Sequence, residues 1–141
     1  MSLSALYQQR LLAHNRVPNN HFKLPDATHS ARGTDALCGD DIELWLRLDD
    51  DRVETASWSG EACAVTTAAA SMLTEWLQGR RPGAIRAGFD RFGDLIADAD
   101  APDDPDLGDL NALRAVSAFP PRRRNALLPW KTALEALESP T

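Results

Sequence analysis

The two cysteines of this chain flank a predicted β-hairpin, and each stands where a thiol could take part in metal or sulfur chemistry. Cys38 is followed by Gly39 and Asp40, and Cys63 lies at the start of an alanine-rich segment. The glycine lets the backbone turn so that a thiolate and a carboxylate can converge. A thiol at the start of a helix is close to the positive end of the helix dipole, which favours the thiolate. Two thiolates and one carboxylate would suit tetrahedral zinc, or iron with an exchangeable oxygen ligand.

Other interpretations of the same residues remain open at this stage. A cysteine alone can fill a core as a small hydrophobic side chain. The three histidines, His14, His21 and His29, share no metal-ligand spacing, so surface or capping roles are expected for them. The basic run Arg122–Arg124 is either a solvated loop or a source of positive charge that stabilises thiolates.

The bulk properties exclude several classes of function. The chain has 141 residues, which fits one domain over residues 1–141, and its net charge of −6 argues against nucleic acid as a partner. No apolar run approaches the roughly 18 residues of a membrane-spanning helix, so no membrane partner is expected. Residues 1–10 lack the pattern of a secretory signal, and two cysteines are too few for a secreted disulfide framework, so a cytoplasmic location is expected. No nucleophile–base set, phosphate loop or cofactor fingerprint is present, so a carrier rather than an enzyme is expected.

The strands are predicted from alternating apolar residues. Asp41–Leu48 and Arg52–Trp58 alternate around the turn of three aspartates at 49–51, which predicts a hairpin. Val17–Thr34 is polar and is expected to be an extended loop that can contain one short strand at Thr28–Arg32.

The helices are predicted from apolar residues at spacings of three and four. The expected helices are Ser4–Asn15, Ala62–Gln78, Pro82–Ile96, a short Asp106–Val116 and Leu127–Leu137. Asp98–Asp106 is expected to be a solvated, mobile connector, and Ala118–Arg124 is expected to be a loop. Pro129 is expected in the first turn of the last helix, where a missing N–H group breaks no intrahelical hydrogen bond. Strands followed by a run of helices predict an α+β fold, with a small antiparallel sheet and helices packed on one face.

Five ordered segments resemble the iron–sulfur scaffold family that comprises IscU and the N-terminal part of NifU. Cys38–Asp40 is similar to its C-G-D motif before a strand, and the segment around Cys63 is similar to its G-x-G-C-A motif before a helix. The three further matches are His14–Asn19, one segment made of residues within Leu107–Leu113 followed by Ala118–Arg122, and Ala126–Leu134. The long interval after Cys63 resembles the SufU branch of this family.

The resemblance implies a three-stranded sheet and a site of three cysteines and one aspartate that binds zinc or an iron–sulfur cluster and receives sulfur from a cysteine desulfurase. Cys38, Asp40 and Cys63 match the metal ligands of that site. The third cysteine would fall at Asn125, whose amide oxygen is a poor zinc ligand and no nucleophile. Arg124 occupies the position of a histidine in the IscU branch and of a basic residue in the SufU branch.

Two functions are therefore expected as alternatives. The first is an assembly protein that binds zinc or a cluster through Cys38, Asp40 and Cys63 and acts as a scaffold or sulfur acceptor, with a cysteine desulfurase and apo iron–sulfur proteins as partners. The second is a diverged, metal-free homologue that acts only by binding a desulfurase. This alternative is expected because Asn125 stands where the family has its third cysteine. A disulfide between Cys38 and Cys63 is the least expected outcome inside a cell.

Overall fold

The computed structural model describes residues 3–141 and confirms the α+β fold class. The chain forms α1 (Leu3–Arg16), β1 (His29–Asp35), β2 (Asp40–Asp49), β3 (Arg52–Glu61), α2 (Ala64–Leu77), α3 (Pro82–Ala97), a 3₁₀ segment (Pro105–Val116) and α4 (Pro120–Leu137). The three strands form one antiparallel sheet in the order β1-β2-β3. Within the described residues, no helix combines the length and the apolar character that crossing a membrane requires.

The sheet packs its apolar face against α2 and α4. In β2 the predicted alternation holds, and Ile42, Leu44 and Leu46 are buried. The close approach of α4 to β1 depends on Gly33, because a Cβ atom there would lie 2.0 Å from the Thr132 hydroxyl oxygen. This contact fixes α4 against the strand that leads to Cys38.

A bulge changes the predicted alternation in β3. Arg47 pairs with Thr55 and Leu48 pairs with Val53, so Glu54 has no partner in the register. The extra residue reverses the side-chain alternation. Val53 before the bulge and Ala56 and Trp58 after it are all buried, so the core-facing positions change from odd to even numbers along β3.

The last helix begins earlier than predicted. The expected loop Ala118–Arg124 is wrong, because α4 already starts at Pro120. Two prolines favour the first turn of a helix, where their missing N–H groups have no intrahelical acceptor. Pro129 therefore lies inside α4 rather than in its first turn, and it cannot donate to the carbonyl oxygen of Asn125.

The other boundaries shift for local reasons. The short strand expected at Thr28–Arg32 is the longer β1, since its pairing with β2 continues to Asp35.

The acidic connector Asp98–Asp106 is held to the rest of the protein at its C-terminal end by ion pairs. Asp104 pairs with Arg91, and Asp106 pairs with Arg80 and Arg91.

Candidate metal centre

Cys38 lies in the tight loop that joins β1 to β2. Asp35 and Asp40 face each other as the last pair of this hairpin, and residues 36–39 close it. Gly39 adopts a φ of 71°, a conformation that glycine accepts without strain. The sequence Cys38-Gly39-Asp40 thus places the thiol on the loop and the carboxylate on the first residue of the strand.

Asp40 is the buried centre of the site, with 2% exposure. Its Oδ1 accepts a 2.7 Å hydrogen bond from the backbone N–H of Cys63. Its Oδ2 accepts hydrogen bonds from the Thr66 hydroxyl at 2.6 Å and from the Asn125 amide at 3.0 Å. Burying a carboxylate is costly unless protein donors satisfy it, and here three do so.

Cys63 is the N-cap residue of α2, one position before the helix itself. Its backbone N–H binds Asp40, and its half-buried Sγ lies 3.9 Å from Asp40 Oδ2 and 3.4 Å from Thr66 Oγ1. A thiolate and a carboxylate on one tetrahedral zinc ion would be about 3.5 Å apart. Cys63 and Asp40 are therefore close to the separation of two ligands of one ion.

Asn125 lies between Asp40 and Cys38 and is fully buried. Its Nδ2 donates to Asp40 Oδ2 at 3.0 Å and lies 3.5 Å from Asp35 Oδ2. Its Oδ1 accepts from the Cys38 thiol at 3.5 Å. Because Pro129 cannot donate to the Asn125 carbonyl oxygen, α4 lacks its usual hydrogen bond from residue 129 there, and the Thr66 hydroxyl lies 3.4 Å from that oxygen.

Of the three predicted ligands, Asp40 and Cys63 are in contact, whereas Cys38 is linked to Asp40 through the side-chain amide of Asn125. Cys63 and Asp40 meet directly. Cys38 meets Asn125, and the ligand atoms of Cys38, Asp40 and Cys63 are not all within 4.8 Å of one another. A shared ion would require the Cys38 side chain to turn from the Asn125 amide oxygen towards Asp40.

Arg124 acts on the loop through Asp35 rather than through a sulfur. Its Nε donates to Asp35 Oδ2 at 3.0 Å, and this bond is the main reason that the pKa of Asp35 lies below its usual range. The backbone N–H groups of Leu37 and Cys38 donate to Asp35 Oδ1 at 3.0 and 3.4 Å. Arg124 and Asp35 together hold the loop that carries Cys38.

Two residues of the site were missed by sequence reasoning. Asp35 stands three residues before Cys38, just before the turn that contains Gly39. An aspartate at the start of a turn often accepts hydrogen bonds from the backbone N–H groups of that turn, so this residue could have been found from the sequence. Thr66 stands three residues after Cys63, a position from which a hydroxyl reaches back to the start of its helix. Its bond to Asp40 depends on the tertiary fold.

Comparison with known proteins shows the family. The model of the NifU-like N-terminal domain matches residues 6–125. The chain therefore belongs to the NifU-like N-terminal domain family.

The relatives in this family include a sulfurtransferase and scaffold proteins. The zinc-dependent sulfurtransferase SufU of Bacillus subtilis is 37% identical over 134 residues, which cover 95% of this chain and 90% of that protein. The iron–sulfur cluster assembly scaffold protein IscU of Streptococcus pyogenes is 29% identical, over 96% of this chain and 85% of that protein. The similarity to the SufU branch is thus confirmed. The expectation of a carrier rather than an enzyme stays a prediction, because one relative is named a scaffold protein and the other a sulfurtransferase.

The fold agrees with solved structures of this group. The N-terminal part of a nitrogen-fixing NifU-like protein from Brucella abortus superposes with a TM-score of 0.84 at 18% identity, covering 96% of this chain and 94% of that one. At this identity the similarity shows the fold alone.

Proposed function

We propose that this chain is an iron–sulfur cluster assembly protein that serves as a scaffold or sulfur acceptor, with Cys38, Asp40 and Cys63 as the residues that hold a zinc ion or a cluster. The observation that carries this proposal is the 3.9 Å approach of the Cys63 sulfur to the buried Asp40 carboxylate. Membership of the NifU-like N-terminal domain family and the names of the relatives support it.

The donor set fits zinc or iron. Two half-buried thiols and one carboxylate are ligands that both metals accept, and Cys38 would join Asp40 and Cys63 after its side chain turned from the Asn125 amide oxygen. A bound zinc ion would hold the thiols as thiolates and stabilise their charge. Asn125 offers only a neutral amide oxygen, so water or a neighbouring side chain would complete the coordination.

Sulfur acceptance is assigned to Cys38. Both thiols are half-buried, but Cys38 lies on the hairpin loop beside the 82% exposed Leu37, whereas the Cys63 sulfur lies against Asp40 and Thr66. In the transfer step the Cys38 thiolate attacks the outer sulfur of a persulfide on the donor. The S–S bond of the donor breaks, the donor leaves as a thiolate, and Cys38 becomes the persulfide.

The partner of this step is a cysteine desulfurase, and apo iron–sulfur proteins are the recipients. The exposed apolar side chains of Leu37 and Phe119 and the exposed Arg122 lie on the loop of Cys38 and at the start of α4, which are the two elements that flank the centre. A surface of this composition is typical of a transient interface. The proposal places the protein in the cytoplasm as a single domain over residues 1–141, acting by carriage of sulfur or a cluster.

A second candidate function is docking on a desulfurase without metal. The specific observation in its favour is that Asp40 already has three protein donors, so its charge is stabilised without an ion. In this alternative the Cys38 loop is retained only as part of the interface.

Metal analysis of the purified chain separates the two candidates. The protein is reconstituted anaerobically with iron and sulfide, or loaded with zinc, and its metal content is compared with that of C63A. The proposal expects the parent to bind about one zinc ion or cluster per chain more than C63A does. Equal metal content in the parent and C63A, with a desulfurase still bound, would favour the metal-free alternative, and protein that shows neither the difference nor desulfurase binding would contradict both.

A further inference from the structure

A second group of metal-ligating side chains lies away from the cysteines. His14 of α1, Glu75 of α2 and Asp109 of the 3₁₀ segment each offer one ligand atom, and these atoms all lie within 4.8 Å of one another. His14 is only 6% exposed, so the surface or capping role expected for it is wrong. Three separate elements converge to make this group.

The imidazole of His14 is held in one orientation. Its Nδ1 lies 2.7 Å from the hydroxyl oxygen of Ser71, which is itself fixed by a 2.7 Å hydrogen bond from the backbone N–H of Asn19. Its Nε2 points to Asp109 Oδ2 at 2.9 Å. Without a metal, Nε2–H donates to Asp109 Oδ2, because a carboxylate only accepts, and Nδ1 accepts from the Ser71 hydroxyl. When a metal binds, the ring proton moves to Nδ1, which then donates to Ser71, and the lone pair of Nε2 faces the ion, as in other metal-binding histidines.

Each carboxylate of the group is also oriented by a second residue. Arg10 donates to Asp109, with its shorter contact of 3.1 Å on Oδ1, the oxygen that does not meet His14. The side-chain amide of Asn19 donates to Glu75 Oε1 at 2.6 Å. Every ligand of the group thus has an outer partner that orients it, and a bound ion would replace the bond between His14 Nε2 and Asp109 Oδ2.

The group is open to solvent and is separate from the cysteine centre. Glu75 is exposed, and a surface depression lined by Ala13, His14, Arg16, Val17 and Asn19 leads to the imidazole. Glu75 follows Cys63 by 12 residues along α2 (75 − 63), which corresponds to roughly 18 Å at the helical rise per residue. One ion could not be shared by both groups at this separation.

We propose that His14, Glu75 and Asp109 bind one divalent first-row transition metal ion of the Mn²⁺ or Fe²⁺ type. One imidazole and two carboxylates are ligands that divalent first-row metals accept, and ions such as Mn²⁺, which prefer oxygen ligands, bind here rather than at a pair of thiolates. Water completes the coordination on the exposed side. This site does not depend on the function proposed above.

Mn²⁺ is the probe that separates the two centres, because it binds oxygen and nitrogen ligands in preference to thiolates. The free-ion signal in electron paramagnetic resonance is followed while Mn²⁺ is titrated into the full chain. We expect one saturable site per chain, weakened at least about tenfold in E75Q and in D109N, because second-shell changes alone weaken metal sites by roughly 10- to 100-fold. D90N, which removes an exposed carboxylate on α3, is the matched control and should bind as the parent does.

E75Q decides the test, because Glu75 is exposed and its loss should leave the fold intact, whereas D109N also removes a bond to α1. Mn²⁺ should also raise the unfolding midpoint of the parent chain and of D90N but not that of E75Q. The proposal is overturned if no Mn²⁺ is bound at millimolar concentrations, if E75Q binds as the parent does, or if binding is lost in C63A instead.

Discussion

The side-chain amide of Asn125 donates a 3.0 Å hydrogen bond to Asp40 Oδ2, the same oxygen that faces the Cys63 sulfur at 3.9 Å. A carboxylate accepts but does not donate, so the nitrogen end of the amide must face Asp40 and the oxygen end must face Cys38. Asn125 therefore lies between Cys38 and Asp40, at the position where the family resemblance implies a third cysteine. Its hydrogen bonds hold the centre together without an ion, and they must rearrange for Cys38 to join one.

Replacing Asn125 with cysteine should increase zinc affinity. The change substitutes a thiolate, a strong zinc ligand, for a neutral amide at a position between Cys38 and Asp40. Because changes around a metal alter its affinity by roughly 10- to 100-fold, N125C should bind zinc at least about tenfold more tightly than the parent. Competition with a chromophoric chelator measures this, with N125A as the control that removes the amide and adds no ligand. Equal affinities of N125C and the parent would place Asn125 outside the metal site.

Removing the Asn125 side chain should destabilise the metal-free protein. In N125A the 2% exposed Asp40 loses a donor, and an unsatisfied buried group costs about 1–3 kcal/mol, more when it is charged. Denaturant unfolding of the metal-free chain measures the loss. N15A is the matched control, because the Asn15 amide makes a hydrogen bond on an exposed surface, where substitutions usually change stability by less than about 0.5 kcal/mol. A loss in N125A no larger than that in N15A would show that Asp40 does not depend on the amide.

The Thr66 hydroxyl should be needed at the centre, although it is not a predicted ligand. T66V keeps the shape of the side chain but removes the 2.6 Å bond to Asp40, which should lower the free energy of unfolding by about 1–3 kcal/mol. It should also weaken zinc binding, since the carboxylate loses its orientation. T67V alters the next residue of α2, whose hydroxyl bonds only a backbone carbonyl, and it should leave zinc binding as in the parent. Equal zinc affinity in T66V and T67V would contradict this role.

The ion pair of Asp35 and Arg124 should make the loop of Cys38 sensitive to acid. The Arg124 guanidinium, helped by the backbone N–H groups of Leu37 and Cys38, holds the pKa of Asp35 below its ordinary value. A carboxyl group with a lowered folded-state pKa contributes stability that is complete above its unfolded-state pKa and is lost as the pH falls through the folded-state value. The parent should therefore be more stable than D35N at neutral pH, and the two unfolding free energies should converge under strongly acidic conditions.

Unfolding free energies of the parent and D35N across the acidic range measure this convergence. D90N, which removes an exposed carboxylate of α3, is the control for loss of one negative charge, and it should differ from the parent at neutral pH by less than D35N does. A constant difference between the parent and D35N at every pH would show that the ionised form of Asp35 is not what stabilises the loop.

The features that could be predicted from the sequence are the local ones. Alternation in β2 placed Ile42, Leu44 and Leu46 in the core, and Cys38-Gly39-Asp40 marked the turn into that strand. These patterns depend on side-chain periodicity and backbone freedom within a few residues, so they can be recognised in the sequence before the tertiary structure is known.

The features that were wrong or missed depend on contacts between distant segments. A pair of prolines before three arginines is as compatible with a loop as with a helix start, and α4 begins at Pro120 because it packs on β1 and β2. The bulge at Glu54 follows from strand pairing. His14 and Asn125 carry no local signal of burial, since their partners lie 57 residues or more away in sequence.

Zinc-edge X-ray absorption on the zinc-loaded chain tests the central claim most directly, because it counts the sulfur ligands of the ion. A site formed by Cys38, Asp40 and Cys63 should show two sulfur atoms at about 2.3 Å with nitrogen or oxygen ligands at about 2.0 Å. C63A should retain at most one sulfur atom. A shell of nitrogen and oxygen alone in the parent chain would contradict a cysteine centre and place the bound zinc elsewhere.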